Sequence, residues 1–212
     1  MNSDNLSQEI LDYLENPCRT LSIPYWKYKS ISVPDNIEII HIDNFCNQYE
    51  KYQRYFRIYH KLVNIQEVYN RVCLIDIEHD KDSLIKMINQ CYKHENILID
   101  ESDINRWMNN PTYNKSLWVK IVKNNKIIAS GIAEYDSHLK EGIIEWVQVL
   151  PEYRNKGYGK DIVNYLLKQL RNLDAGFVTV SGSLDNKTNP EKLYRKCGFI
   201  GDDIWYICQK VK

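Results

Sequence analysis

The sequence predicts a mixed α/β domain around a mostly antiparallel central sheet flanked by helices, preceded by an N-terminal extension. Three features carry that expectation. From about residue 71, strand-like runs alternate with segments of helical periodicity. Three such runs follow one another over residues 116–150. After them the pattern returns to helix, strand, helix, strand.

Taken in order, a helix over 4–15 sets Leu6, Ile10, Tyr13 and Leu14 on one face and stops at Asn16-Pro17. Ile23-Pro24-Tyr25-Trp26 and Val33-Pro34 mark an extended or turning path. Residues 37–42 and 55–62 each read as strands. Residues 1–70 hold 11 of the chain's 25 aromatic residues, so this extension is expected to pack on something. A docking layer, a lid and a homodimer arm all suit it.

Residues 71–212 form the domain proper. A strand covers 72–77, and Asp80 caps a helix with Leu84, Ile85, Ile88, Cys91 and Tyr92 at helical spacing. A short helix over 101–108 stops before Pro111. Strands cover 116–122, 126–135 and 142–150, with Asn124-Asn125 as a tight hairpin turn. Pro151 ends the third strand, and a helix over 157–171 buries Ile162, Val163, Leu166, Leu167 and Leu170. A strand at 176–181, a helix at 190–196 and a strand at 204–208 complete the order.

Composition narrows the function. The 212 residues are 43% hydrophobic, enough for a real core, and 28 Lys plus Arg balance 28 Asp plus Glu. A polyanion-binding protein carries a basic excess, so nucleic acid is disfavoured. The N-terminal MNSDNLSQEILDYLENP has no basic segment before an apolar run, so it is not read as a signal peptide. No apolar stretch approaches the roughly 20 residues of a membrane helix. Six cysteines are scattered without a C-x-x-C pair, which predicts reduced thiols, no metal and a cytoplasmic protein.

The informative segment is Glu145-Trp-Val-Gln-Val-Leu-Pro-Glu-Tyr-Arg154-Asn-Lys-Gly157-Tyr-Gly159-Lys160. A strand runs into a glycine-containing turn where a helix begins. Helix starts leave N–H groups unpaired and carry partial positive charge, so they bind anions. Gly157 and Gly159 let an anion approach the backbone, and Arg154, Lys156 and Lys160 add charge. A pyrophosphate fits. A P-loop needs Ser or Thr after Gly-Lys, where this chain has Asp161; a dinucleotide fingerprint needs a third Gly or Ala, where it has Ile162.

About 35 residues on stands Asn189-Pro-Glu-Lys-Leu193-Tyr194-Arg-Lys196-Cys-Gly198-Phe199. With both segments in hand, the chain from residue 72 resembles the GCN5-related N-acetyltransferases, the GNAT superfamily. The first segment is similar to that family's V-x-P-x-x-R-x-x-G-x-G motif, the second to its L-Y-x-K-x-G-F motif. The resemblance implies acetyl-CoA as co-substrate and an amine as acceptor. It implies a strand that splays from its neighbour so that Val147, Gln148 and Val149 pair with pantetheine. The pyrophosphate then belongs on the turn of Arg154, Asn155, Lys156, Gly157, Tyr158, Gly159 and Lys160. The family often has a coenzyme A-binding asparagine seven residues before the motif tyrosine. Lys187 stands there, a departure from the pattern, with Asn186 and Asn189 beside it as candidate substitutes.

Tyr194 matches the family tyrosine that protonates the departing thiolate; the alternative is a space-filling tyrosine at a helix end. Glu145 is the candidate base, acting directly or through a water, with a surface carboxylate as the alternative. Alternation on the strand predicts that Glu141, Ile143, Glu145, Val147 and Val149 share a face. The family's histone-acetylating members carry their glutamate at the position of Ile143. Residues 76–103 hold eight acids against three lysines, which suits a cationic acceptor or a solvated face. The rival to catalysis is an acyl-CoA-binding sensor or structural module of the same fold.

Overall fold

The computed structural model describes residues 3–19, 35–46, 49–68, 71–95 and 97–210. The turning path expected around Ile23-Pro24-Tyr25-Trp26 and Val33-Pro34 lies outside them. The elements are α1 (Ser3–Glu15), β1 (Ile37–His41), β2 (Lys51–His60), β3 (Val72–Leu74), α2 (Ile77–Tyr92) and α3 (Glu101–Met108). Then come β4 (Trp118–Lys123), β5 (Lys126–Asp136), β6 (Glu141–Val149), α4 (Tyr158–Asn172), β7 (Phe177–Ser183), α5 (Pro190–Lys196) and β8 (Ile200–Gln209). The eight strands form one sheet in the order β1-β8-β2-β7-β6-β5-β4-β3. Among the described residues, β6 and β7 pair in parallel and the other neighbours are antiparallel.

Helix α2 starts earlier than its sequence suggests. Asp76, not Asp80, is the N-cap, its carboxylate accepting from the Glu78 N–H. Asp80 folds back to accept from the Asp76 N–H and pairs with Lys120 of β4. Strand β3 is thereby cut to three residues. Helix α3 starts at a capping box made by Asp100 and Asp103.

Two apolar cores occupy the two faces of the sheet. On one face α4 buries Ile162, Val163, Leu166, Leu167 and Leu170 completely. Each such side chain contributes about 1.5–3 kcal/mol on leaving water. Two glycines let this helix sit close. A Cβ on Gly131 of β5 would lie 2.3 Å from Ile162, and one on Gly142 of β6 would lie 2.6 Å from Leu170. On the other face α2 and α3 bury Leu84, Ile88 and Ile104 against Trp118 and Ile132.

Strands from before residue 70 are built into the sheet. β2 lies between β7 and β8, with Tyr55 opposite both Ser183 and Trp205. Its alternate residues Phe56, Ile58 and His60 are buried, and the Phe56 ring occupies the space a side chain on Gly182 would need. Helix α1 is clasped by Tyr13, whose hydroxyl donates to Glu141 at 2.5 Å.

Strand β6 has two irregularities that define the site. Opposite β5, Trp146 pairs with Ile132 but Ile144 pairs with Ala133, so Glu145 is an extra, bulged residue. The bulge reverses the alternation. Gly142 faces α4, and so does Val147 through its partner Gly131, whereas Ile143 and Glu141 point to the other face. The expectation that Glu141, Ile143, Val147 and Val149 share a face is therefore corrected: one additional residue separates the two pairs. The second irregularity is that pairing with β7 runs from Glu141/Phe177 to Ile144/Val180 and stops. Beyond Ile144 the ladder between β6 and β7 does not continue.

Candidate active site

Where β6 parts from β7, a cleft of about 490 Å³ opens. The turn beyond β6 is shaped by backbone chemistry. Pro151–Tyr153 makes one 3-10 turn, and Arg154 Nε donates to the Val149 carbonyl at 3.1 Å, bracing the guanidinium on the end of the strand. Asn155 (φ 61°) and Gly157 (φ 84°) are left-handed, and Gly157 caps α4 without a side-chain hydrogen bond. The first amides of α4 therefore face the cleft uncapped by a side chain. A Cβ on Gly159 would come within 3.1 Å of Leu193 and 3.6 Å of Val149, wedging α5 away from β6.

The cleft gathers Val147, Gln148, Val149, Arg154, Asn155, Gly157, Tyr158, Gly159, Lys160 and Asn189, all named from sequence. Lys156 is not among its lining residues. Its ammonium donates to the Glu152 carbonyl at 2.9 Å and lies over the Tyr153 ring. Gln148 lines the cleft with its side chain on the α2 face, donating to Ser130 Oγ at 2.5 Å.

Tyr194 lies beneath the cleft rather than in its lining. It is 6% exposed, with its ring 5.5 Å from Phe199 and 6.2 Å from Phe56. Burial pushes its phenol well above the ordinary tyrosine range, and nearby Tyr92, Cys197 and Glu145 push it the same way. The half-buried bulge residue Glu145, like Tyr194, is not among the residues that line the cleft. Glu141 is elsewhere. It is fully buried, accepts from Tyr13 and from Thr179 Oγ1 (2.6 Å), and lies 3.8 Å from Arg57.

Both asparagines offered for coenzyme A have prior partners. The Asn189 side chain caps α5 by accepting from the Lys192 N–H. Asn186 accepts from Thr188 and donates to Glu95 at 3.0 Å, from the opposite wall of the cleft. Lys187 is exposed.

Sequence reasoning missed three residues here. Arg71 pairs with Asp161 in the first turn of α4 and lies over the Tyr158 ring. Tyr92 and Glu95, at the end of α2, line the cleft. Arg71 stands 90 positions from its partner, and no local pattern marks such a pairing. An exposed cluster of Asp76, Glu78 and His79 lies at the other end of α2, where Asp76 already caps the helix and pairs with His79.

A splayed β6, a glycine turn and an uncapped helix start together make a cleft suited to an anion-bearing ligand. The model of the Acetyltransferase (GNAT) family matches residues 81–199, and the chain belongs to that family. A GCN5-related N-acetyltransferase from Sphaerobacter thermophilus superposes with a TM-score of 0.64 at 13% identity, over 76% of this chain and 52% of that one. The chain thus spans about half of that protein's length. A GNAT acetyltransferase from Colwellia psychrerythraea gives 0.59 at 14% identity, over 81% of this chain and 64% of that one. The ribosomal-protein-S18-alanine N-acetyltransferase of Escherichia coli gives 0.50 at 14%, over 66% of this chain and 94% of that one. No curated protein matches. Among the described residues no helix is long and apolar enough to cross a membrane.

Proposed function

We propose that the protein transfers an acetyl group from acetyl-CoA to an amine acceptor by direct attack in a ternary complex. The observation that carries this reading is the parting of β6 from β7 after Ile144, directly above the uncapped start of α4. The residues present fit coenzyme A. The backbone at 147–149, with its Val149 carbonyl already accepting from Arg154, meets the pantetheine as an added strand would. The amides at 157–160, with Arg154 and Lys160, take the pyrophosphate. The thioester supplies the activated acyl carbon.

The chain's own residues then manage protons. An alkyl ammonium has a pKa of about 10.4, so about one molecule in a thousand is a free amine near pH 7.4. Glu145, at the bulge, takes that proton directly or through a water. The amine nitrogen attacks the acyl carbon, and the carbon–sulfur bond breaks to give a thiolate. Tyr194 donates its proton to that thiolate.

Burial of Tyr194 behind the cleft lining is also the observation that favours a second reading, an acyl-CoA-binding module without turnover. Thiol release from acetyl-CoA across a panel of amines separates the two. Binding without amine-dependent release from any of them would leave the module reading standing and remove the transferase.

A further inference from the structure

Helix α5 is seven residues long, and Tyr194 is held less by the helix than by the way it ends. The Phe199 N–H donates to the Tyr194 carbonyl at 3.2 Å, and the Gly198 N–H to the Arg195 carbonyl at 3.1 Å. Gly198 is left-handed (φ 97°), and the Phe199 ring meets the Tyr194 ring at 5.5 Å. Paired bonds, a left-handed glycine and an apolar contact make a Schellman ending, with Tyr194 and Phe199 at its two extremes. Both the carbonyl and the ring of Tyr194 are therefore fixed by the turn at 197–199.

That turn rests on His60, at the end of β2. A Cβ on Gly198 would lie 2.9 Å from His60 Nε2 and 3.3 Å from its Cδ2, so the imidazole lies directly against the glycine. The same ring meets the Phe199 ring at 5.3 Å. The imidazole has little freedom to yield. It is 2% exposed, and its Nδ1 accepts from the Leu62 N–H at 2.8 Å. Leu62 is itself left-handed (φ 58°), turning the chain just beyond the strand. On the same face of β2, the Phe56 ring meets the Tyr194 ring at 6.2 Å. One strand thus supports Tyr194 twice, through Phe56 on its ring and through His60 on the turn that holds it.

We infer that His60 is a positioning residue for Tyr194. The imidazole, carried by a strand from before residue 70, is the backstop of the Gly198 turn, and a displaced turn carries the phenol with it. Gly198 is then required for two reasons: its left-handed backbone, and the close approach of His60. The inference rests on the transferase reading for what moving Tyr194 does to the rate, but not for the contact that moves it.

Ring-labelled tyrosine, observed by NMR, reads the position directly, with the Tyr194 signal identified by its loss in Tyr194→Phe. His60→Ala should move that signal and leave those of Tyr153 and Tyr158, beyond β6, in place. The kcat for amine-dependent thiol release should fall by about 10- to 10²-fold, the scale of a group misplaced by about an ångström, with acetyl-CoA affinity within about twofold. In the Tyr194→Phe background the same substitution should lower kcat by less than about twofold, because the group it positions is gone. A purely structural role would lower kcat alike in both. An unmoved Tyr194 signal, or the same loss of kcat in both backgrounds, overturns the inference. A moved signal in a protein that releases no thiol upholds the positioning and sinks the transferase reading instead. Should His60→Ala not fold, His60→Gln lacks the ring, keeps an acceptor for the Leu62 N–H and is read in the same way.

Discussion

The Arg71 guanidinium lies 4.4 Å from the centre of the Tyr158 ring and pairs with Asp161, tying the approach to β3 to the first turn of α4. Asp161 is 5% exposed, so Arg71→Ala leaves a buried carboxylate without its cation. Urea unfolding should show a loss of about 1–3 kcal/mol. Because Gly157 and Tyr158 move with that turn, acetyl-CoA affinity should fall as well. Unchanged affinity at reduced stability would confine Arg71 to a structural role.

Acetyl-CoA should raise the melting temperature. At about 100 times its Kd a ligand adds about 2.7 kcal/mol of stability. Gly157→Asp sets a carboxylate against the uncapped amides of α4 and should abolish the shift. A full shift in that variant would move the pyrophosphate away from this turn.

Tyr194→Phe tests the proposed acid cleanly, because the ring packs between Phe56 and Phe199 and the substitution keeps that packing. Turnover should drop by about 10²-fold or more with coenzyme A affinity nearly unchanged. Wild-type turnover in the variant would make Tyr194 a packing residue.

Glu145→Gln should lower the rate with a high-pKa amine by about 10²-fold and regain part of it at higher pH, as the amine deprotonates itself. Glu141→Gln is the contrast. That side chain clasps Tyr13 and Thr179, so its replacement should lower stability and spare the pH–rate profile. Identical pH–rate profiles for Glu145→Gln and wild type would remove Glu145 from the mechanism.

His60 supplies a pH dependence of stability. Burial lowers its pKa from 6.5, and its Nδ1 accepts from the Leu62 N–H, which requires a neutral ring. Below about pH 6.5 the unfolded chain therefore binds a proton that the fold resists, so stability is full above that value and declines as pH falls. His60→Gln should flatten this part of the curve in unfolding measurements from pH 7.5 to about 5. An equal slope in the variant would assign the dependence to other groups.

What could be read from the letters was local. The five buried apolar residues of α4, the Asn124-Asn125 turn and the glycines at 157 and 159 announce themselves within a few positions, because helix period and left-handed φ are properties of short segments. What could not be read was relational. The bulge at Glu145 depends on how β5 is registered, and a slip of one residue exchanges the faces of everything beyond it. The meeting of Glu95 with Asn186 joins the end of α2 to a loop 91 positions away.

The placement of β2 between β7 and β8, with β1 on the far side of β8, sets the order in which the molecule can be completed. Ile37 pairs with Gln209 and Lys51 does too, so the strands made early both wait for the one made last. During synthesis at about 5–20 residues per second, β1 and β2 spend many seconds as unsatisfied strand edges. Loop closure over so long a separation is slow, and open edges invite pairing with another chain. Shortening the chain within β8 would thus do more than trim a terminus: it would unlock one side of β2 and all of β1, leaving two adhesive strands on an otherwise formed acyltransferase core.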